Sequence, residues 1–312
     1  MLKGYGLTGA AGLASGLVFL SIIDGGSLGV LLIYLVPLPL MMVGLSLGLL
    51  HALAASALAA VVVGVGSGGS AVPSFAVLAV LPSLVLVRQA LLRRWHLETG
   101  DVDWYPPGKL LAWLTGTAVG LLLLGAAILA SQGLTIEELV GRHVQEFVET
   151  MAQSVPAEMR DALIRIWTAL MPAMACCAWL TIAAVNGALA QWTVTRAEMG
   201  LRPTPAYGDI VLPLWVAGAL AATTAVGLLA QGNLGYVARN VAVVLLWPHV
   251  FVGLAEVHTR LKGRPNGALL LSLFYVVFVA LFQWALFAVA GLGLVRHWTR
   301  PRRRDATGQE EK

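Results

Sequence analysis

Three polar groups stand in an apolar stretch long enough to cross a membrane: Arg239 and Asn240 near one end, and His249 beside Pro248 near its centre. Their chemistry is hydrogen bonding and charge. A proline at that depth frees the carbonyl four residues back and bends the helix, and free backbone groups in mid-membrane line a cavity or meet another helix. The imidazole of His249 reads either as part of a functional site or as one interhelical hydrogen bond across the kink. Arg239 either snorkels to the interface or, with Asn240, contacts a polar ligand entering from outside. A second interruption, Val36-Pro37-Leu38-Pro39, falls in another apolar stretch, and proline-broken spans point to transporter sites. Pro37, Pro39 and Pro248 are therefore expected to converge on one cavity. Asn186 either faces that cavity or serves as polar glue between helices.

Covalent chemistry is not expected. Glu137-Glu138-Leu-Val-Gly-Arg142 matches the E-E-x-x-x-R pattern of intramembrane proteases, but no Phe-x-x-x-His follows it. The chain has no Walker loop and no His-Glu-x-x-His, so an enzyme, a metal or a cofactor is not anticipated. Cys176 and Cys177 are adjacent inside an apolar run without His or carboxylate companions, which suits structural filler rather than a disulfide or metal site.

The elements that must carry these residues are membrane helices. In 312 residues there are 20 Lys and Arg and 16 Asp and Glu, a charged share of 12% against 58% hydrophobic, about half the charge of a soluble domain. Eight spans are expected: Gly6–Ile23, Leu28–Leu50, His51–Gly66, Val72–Leu91, Leu110–Ser131, Leu163–Ala190, Ile210–Leu229 and Val237–Val257. The first reads as a retained helix, since no small-x-small cleavage pattern follows it. The apolar segment Gly267–Val295 would be ~44 Å long as one straight helix, against a hydrocarbon core of ~30 Å. A C-terminal helical hairpin folded near Phe282-Gln283-Trp284 leaves only Arg142, Arg160, Arg165 and Arg239 outside, whereas a straight span splits the basic residues evenly.

The expected architecture is thus an all-α, polytopic membrane bundle of about eight helices plus that hairpin, one domain over 1–298, with both termini cytoplasmic in a bacterial inner membrane. Residues 132–161 form an outward amphipathic helical loop, opened by a capping box at Thr135 and Glu138. Residues 299–312 form a basic, disordered cytoplasmic tail. The pI near 9.3 then reflects the excess of cytoplasmic Lys and Arg and not a nucleic-acid partner. In the first span, Ala10 with Ala14 and Gly12 with Gly16 put small residues on adjoining faces, where a helix of the chain or of a partner subunit could dock.

Trp104-Tyr-Pro-Pro-Gly108, Arg202-Pro, Leu212-Pro213, Asn240 with Pro248 and Gly253, and the split final segment with its basic tail together resemble the YybS-like family of predicted bacterial membrane proteins. That family looks distantly similar in fold to the S components of energy-coupling-factor vitamin transporters. The resemblance implies a solute-binding or transport role with partner subunits, docked through Ala10 and Ala14. On the residues alone, the expectation is a solute transport component in the lipid bilayer whose small-molecule solute meets Arg239, Asn240, His249 and Asn186. The rival is a non-transporting membrane scaffold.

Overall fold

In a computed structural model, which describes residues 2–23, 32–152 and 154–299, the apolar stretches are helices. α1 (Leu2–Ile23) is followed by a 3-10 turn (Ile33–Leu35), α2 (Leu38–Leu47), α3 (Leu49–Ser67) and α4 (Val72–Ala90, π-helical over Ala76–Val80). A hairpin of β1 (Arg93–Trp95) and β2 (Val102–Trp104) leads to α5 (Pro107–Ser131), α6 (Ile136–Met151) and α7 (Ala157–Arg196). A strap over 201–213, with a 3-10 turn at Tyr207–Asp209, precedes α8 (Leu214–Leu229), α9 (Gly232–Leu261), α10 (Gly267–Ala280) and α11 (Phe282–Thr299). Six of these (α1, α3, α4, α5, α7 and α9) are long and apolar enough to cross a membrane, and the segment 33–47, α8, α10 and α11 are shorter apolar helices. The molecule is a multi-pass membrane bundle.

Specific contacts show which helix ends lie together. The Leu201 N–H donates to the Leu45 carbonyl at the end of α2. Arg202 reaches the Ala90 carbonyl at the end of α4, and Arg296 near the end of α11 bonds the Gly208 carbonyl in the strap. α1 runs parallel to α3, with Gly12 against Ala55 and Leu58, Gly16 against Ala59 and Val62, and Leu20 against Gly66. The start of α1 and the end of α11 therefore share one face. The described Lys and Arg lie on that face except for Arg142, Arg160, Arg165 and Arg239. Gly48, at φ 100°, takes a conformation open to glycine and turns the chain from α2 to α3 in one residue.

The C-terminal segment is a hairpin, broken at Leu281. Gly253 of α9 faces Gly293 of α11, so that a Cβ on Gly253 would overlap the Val289 carbonyl and one on Gly293 the His249 carbonyl. Farther along, Arg296 Nη1 lies 2.7 Å from Glu256 Oε2. The offset in number from Gly253 to Gly293 is the same as from Glu256 to Arg296, so α9 and α11 run in the same direction. α10, which lies between them in sequence, must run back. Its 14 residues reach only ~21 Å, short of a ~30 Å hydrocarbon core.

α6 has the expected capping box: the Glu138 N–H donates to Thr135 Oγ1 at 3.1 Å, and the Thr135 N–H to Glu138 Oε2 at 2.9 Å. Its Ile136, Val144 and Val148 are buried on the bundle, chiefly against α7, while Phe147 faces away at 63% exposure. The hairpin β1–β2, which pairs Arg93 with Trp104 and Trp95 with Val102, joins the fourth and fifth spans. The opening residues of the expected second span, 28–31, and the basic tail from residue 300 onward lie outside the described residues.

Candidate functional site

Each proline inside a span withholds one N–H, and near several of them a side chain from a neighbouring helix bonds the local backbone. Pro172, inside α7, cannot donate to the Thr168 carbonyl, and Tyr236 Oη on α9 donates to it at 2.6 Å. One turn along α9, Asn240 replaces the next rung of α7. Its Oδ1 accepts from the Ala173 N–H at 2.9 Å and its Nδ2 donates to the Ala169 carbonyl at 3.1 Å. Nδ2 also donates to the Tyr236 carbonyl, so both amide hydrogens are committed. Pro82 falls five residues after Val77, where the π-helical register calls for a donor, and Trp179 Nε1 fills that place at 2.8 Å. Around Pro37 and Pro39, Ser15 donates to the Val36 carbonyl, Ser83 to the Pro37 carbonyl and Asn186 Nδ2 to the Tyr34 carbonyl.

The expected convergence of Pro37 and Pro39 with Pro248 and His249 is not what the fold shows. α7 packs on both α2 and α9 and stands between the two breaks. His249 is fully buried, with Nδ1 3.3 Å from the Leu245 carbonyl, on the flank where α11 approaches most closely. Arg239 lies on the other flank, donating from Nη1 to the Gly227 carbonyl in the last turn of α8 at 3.0 Å, where a cation suits the helix C-terminus. Asn186, 2% exposed, borders a groove of about 330 Å³ with Tyr34, Leu35 and Thr181, and its Oδ1 has no partner among the described residues. Gly12 and Gly16 are used against α3, whereas Ala10 and Ala14 are exposed.

A different pair of cavities occupies the basic face. The inner one, about 230 Å³, lies between α4, α5, α7 and the strap and is lined by Leu86, Leu110, Leu111, Leu114 and Phe251. Its polar contributors are Gln191, Arg202 and Tyr207. Arg202 is 6% exposed and has no carboxylate partner among the described residues. Nη1 donates to the Ala90 carbonyl at 2.9 Å and the guanidinium lies 5.7 Å from the Trp104 ring centroid. A buried charge costs several kcal/mol unless such groups offset it. Burial lowers the Arg202 pKa and raises that of Tyr207, and each group opposes the other's shift; the guanidinium stays charged at any physiological pH.

The second cavity, a cleft of about 950 Å³, adjoins the first across Pro205, Tyr207, Ile210 and Phe251. It runs between the strap, the end of α9 and the start of α10, and carries His258, Lys262 and Arg264 without an Asp or Glu among its described lining residues. Gln191 and Tyr207 escape the sequence reading and Arg202 enters it only within Arg202-Pro, because nothing in the local composition says that the strap and the helix ends will enclose a cavity. The proline-flanked segment 203–205, which begins just after Arg202, is the one local hint of a fixed strap.

A family model described as "Predicted membrane protein (DUF2232)" matches residues 13–295. The chain belongs to that family. No curated protein and no solved structure matches it. The DUF2232 match takes in both cavities and the α9–α11 crossing, and leaves out Ala10 and Gly12. It supports a membrane-protein family and does not extend to the likeness with S components.

Proposed function

We propose that this DUF2232 protein is a solute-binding component of a membrane transport or transfer system, and that its solute is an amphipathic molecule with a largely apolar body. One observation carries this reading: an apolar cavity of about 230 Å³ whose lining includes Arg202, a buried arginine with no carboxylate partner among the described residues. A cavity lined only by leucines would suit packing or a neutral hydrocarbon, and a polar one a vitamin or amino acid; this lining suits a molecule with both characters. The basic face is cytoplasmic in this reading, following the distribution of Lys and Arg, and the membrane is a bacterial inner membrane. The roles of Asn240 and Asn186 are then structural.

Filling the cavity tests this. Ala184 and Ala188 line it from α7, and Ala184→Phe or Ala188→Phe should reduce binding of dodecyl phosphate to the protein in neutral-lipid nanodiscs by about tenfold or more. The melting temperature guards against a folding defect. Binding by both filled variants at the native affinity would sink the proposal.

The scaffold reading keeps one supporting observation. Gly6, Ala10 and Ala14 leave a small-residue face of α1 exposed, open to another helix in the bilayer. Partner capture lost in Ala10→Leu/Ala14→Leu, with no amphiphile bound by the native protein, would favour it.

A further inference from the structure

We infer that the cleft at the end of α9 holds the anionic headgroup of a lipid-like amphiphile, whose apolar part enters the inner cavity past Tyr207 and Phe251. This rests on the amphiphile reading above and adds the chemistry of the headgroup and its place. The two cavities share a wall of Pro205, Tyr207, Ile210 and Phe251, so a single elongated molecule can occupy both. The inner cavity is mainly apolar, with Gln191 and Arg202 on its wall, and the outer cleft adds the basic residues of the α9–α10 turn.

The basic residues of this region are not equivalent. Arg260 is engaged by Glu256, Nε to Oε1 at 2.6 Å, and Arg296 bonds the same carboxylate and the Gly208 carbonyl. Lys262 and Arg264 have no side-chain hydrogen bond or ion pair among the described residues, and both line the cleft. His258 Nε2 is 2.7 Å from Tyr275 Oη on α10, which holds its ring at the cleft wall. Two cations with no ion-pair partner among the described residues, beside an imidazole held by Tyr275 and next to an apolar chamber, match a phosphate or carboxylate on a chain. A free anion would have no use for the chamber. Topology alone would need the positive charge but not its placement in a cleft.

The experiment compares three probes on the full chain in neutral-lipid nanodiscs: dodecyl phosphate, dodecanol and inorganic phosphate. Lys262→Gln/Arg264→Gln changes two exposed side chains that make no hydrogen bond or ion pair among the described residues. Dodecyl phosphate should bind the native protein more tightly than either other probe, and the double variant should lose about thirtyfold of that affinity. Dodecanol should bind the native protein and the variant alike. Equal affinity of native protein for dodecyl phosphate and dodecanol, or no loss in the double variant, would overturn the headgroup site while leaving the cavity reading intact. Inorganic phosphate binding as tightly as dodecyl phosphate would replace the amphiphile with a free anion. Failure of both dodecyl compounds to bind the native protein would remove the cavity reading itself.

Discussion

Tyr236 and Asn240 illustrate how a polar residue in a membrane helix acquires its role from a neighbour's defect. Pro172 leaves the Thr168 carbonyl without its donor, and the hydroxyl of Tyr236 stands in for the missing N–H at 2.6 Å. Tyr236 is buried, so no bulk water takes that place. Tyr236→Phe should therefore cost ~1 kcal/mol, read as a lower midpoint of unfolding in detergent. In a Pro172→Ala background the restored backbone N–H can serve Thr168 directly, and the cost of Tyr236→Phe should shrink below ~0.5 kcal/mol. Equal costs in both backgrounds would show that the hydroxyl does something other than repair α7. From the sequence, Asn240 was visible as a polar group in a span, but its object was not. Nothing along one chain segment says that the rung it replaces lies 67 residues away.

At the scale of elements, close helix crossings depend on where glycine is, not on how much there is. α9 and α11 meet with Gly253 against the Val289 carbonyl and Gly293 against the His249 carbonyl, while Gly291, two residues away, faces open space. Gly253→Ala should destabilise the protein by ~1–3 kcal/mol through overpacking. Gly291→Ala should be neutral or stabilising by up to ~1 kcal/mol, because alanine is the better helix former. Thermal unfolding of the two variants separates them, and similar effects would mean that the crossing is loose. The hairpin itself was legible in the sequence, because charge asymmetry constrains how often a chain can cross. The capping box of α6 was legible too, since its partners are three residues apart. The strand pair at 93–104 was not: short strands set by one cation–aromatic cluster of Arg93, Trp95, Trp104 and Arg202 carry no periodic signal.

Across the whole molecule, the breaks in α2 and α9 are separated by α7, a 40-residue helix about 60 Å long that packs against α2, α4, α5, α6 and α9. Its central position explains why two proline-broken spans, each a reasonable pointer to a cavity, do not form one. Hydropathy gives the number of crossings but not their neighbours, so the site moved to the end of the bundle where helix ends, strap and hairpin close on Arg202. That relocation makes orientation matter, since the basic cleft then opens toward one compartment only. If that compartment is the cytoplasm, cysteines placed at Leu97, 98% exposed, and at Arg264 should escape a membrane-impermeant maleimide applied to intact cells and react after permeabilisation. A cysteine at Glu146 on α6 should react in intact cells. Cys176 and Cys177 lie inside α7, and the unmodified chain supplies their background. Labelling of Leu97→Cys and Arg264→Cys from outside, with Glu146→Cys protected, would invert the bundle and place the cleft against the outer leaflet. The pairing itself is fixed by the fold: Leu97 and Arg264 must report the same side, because Arg202 ties the hairpin to the strap and Arg296 ties the strap to α9.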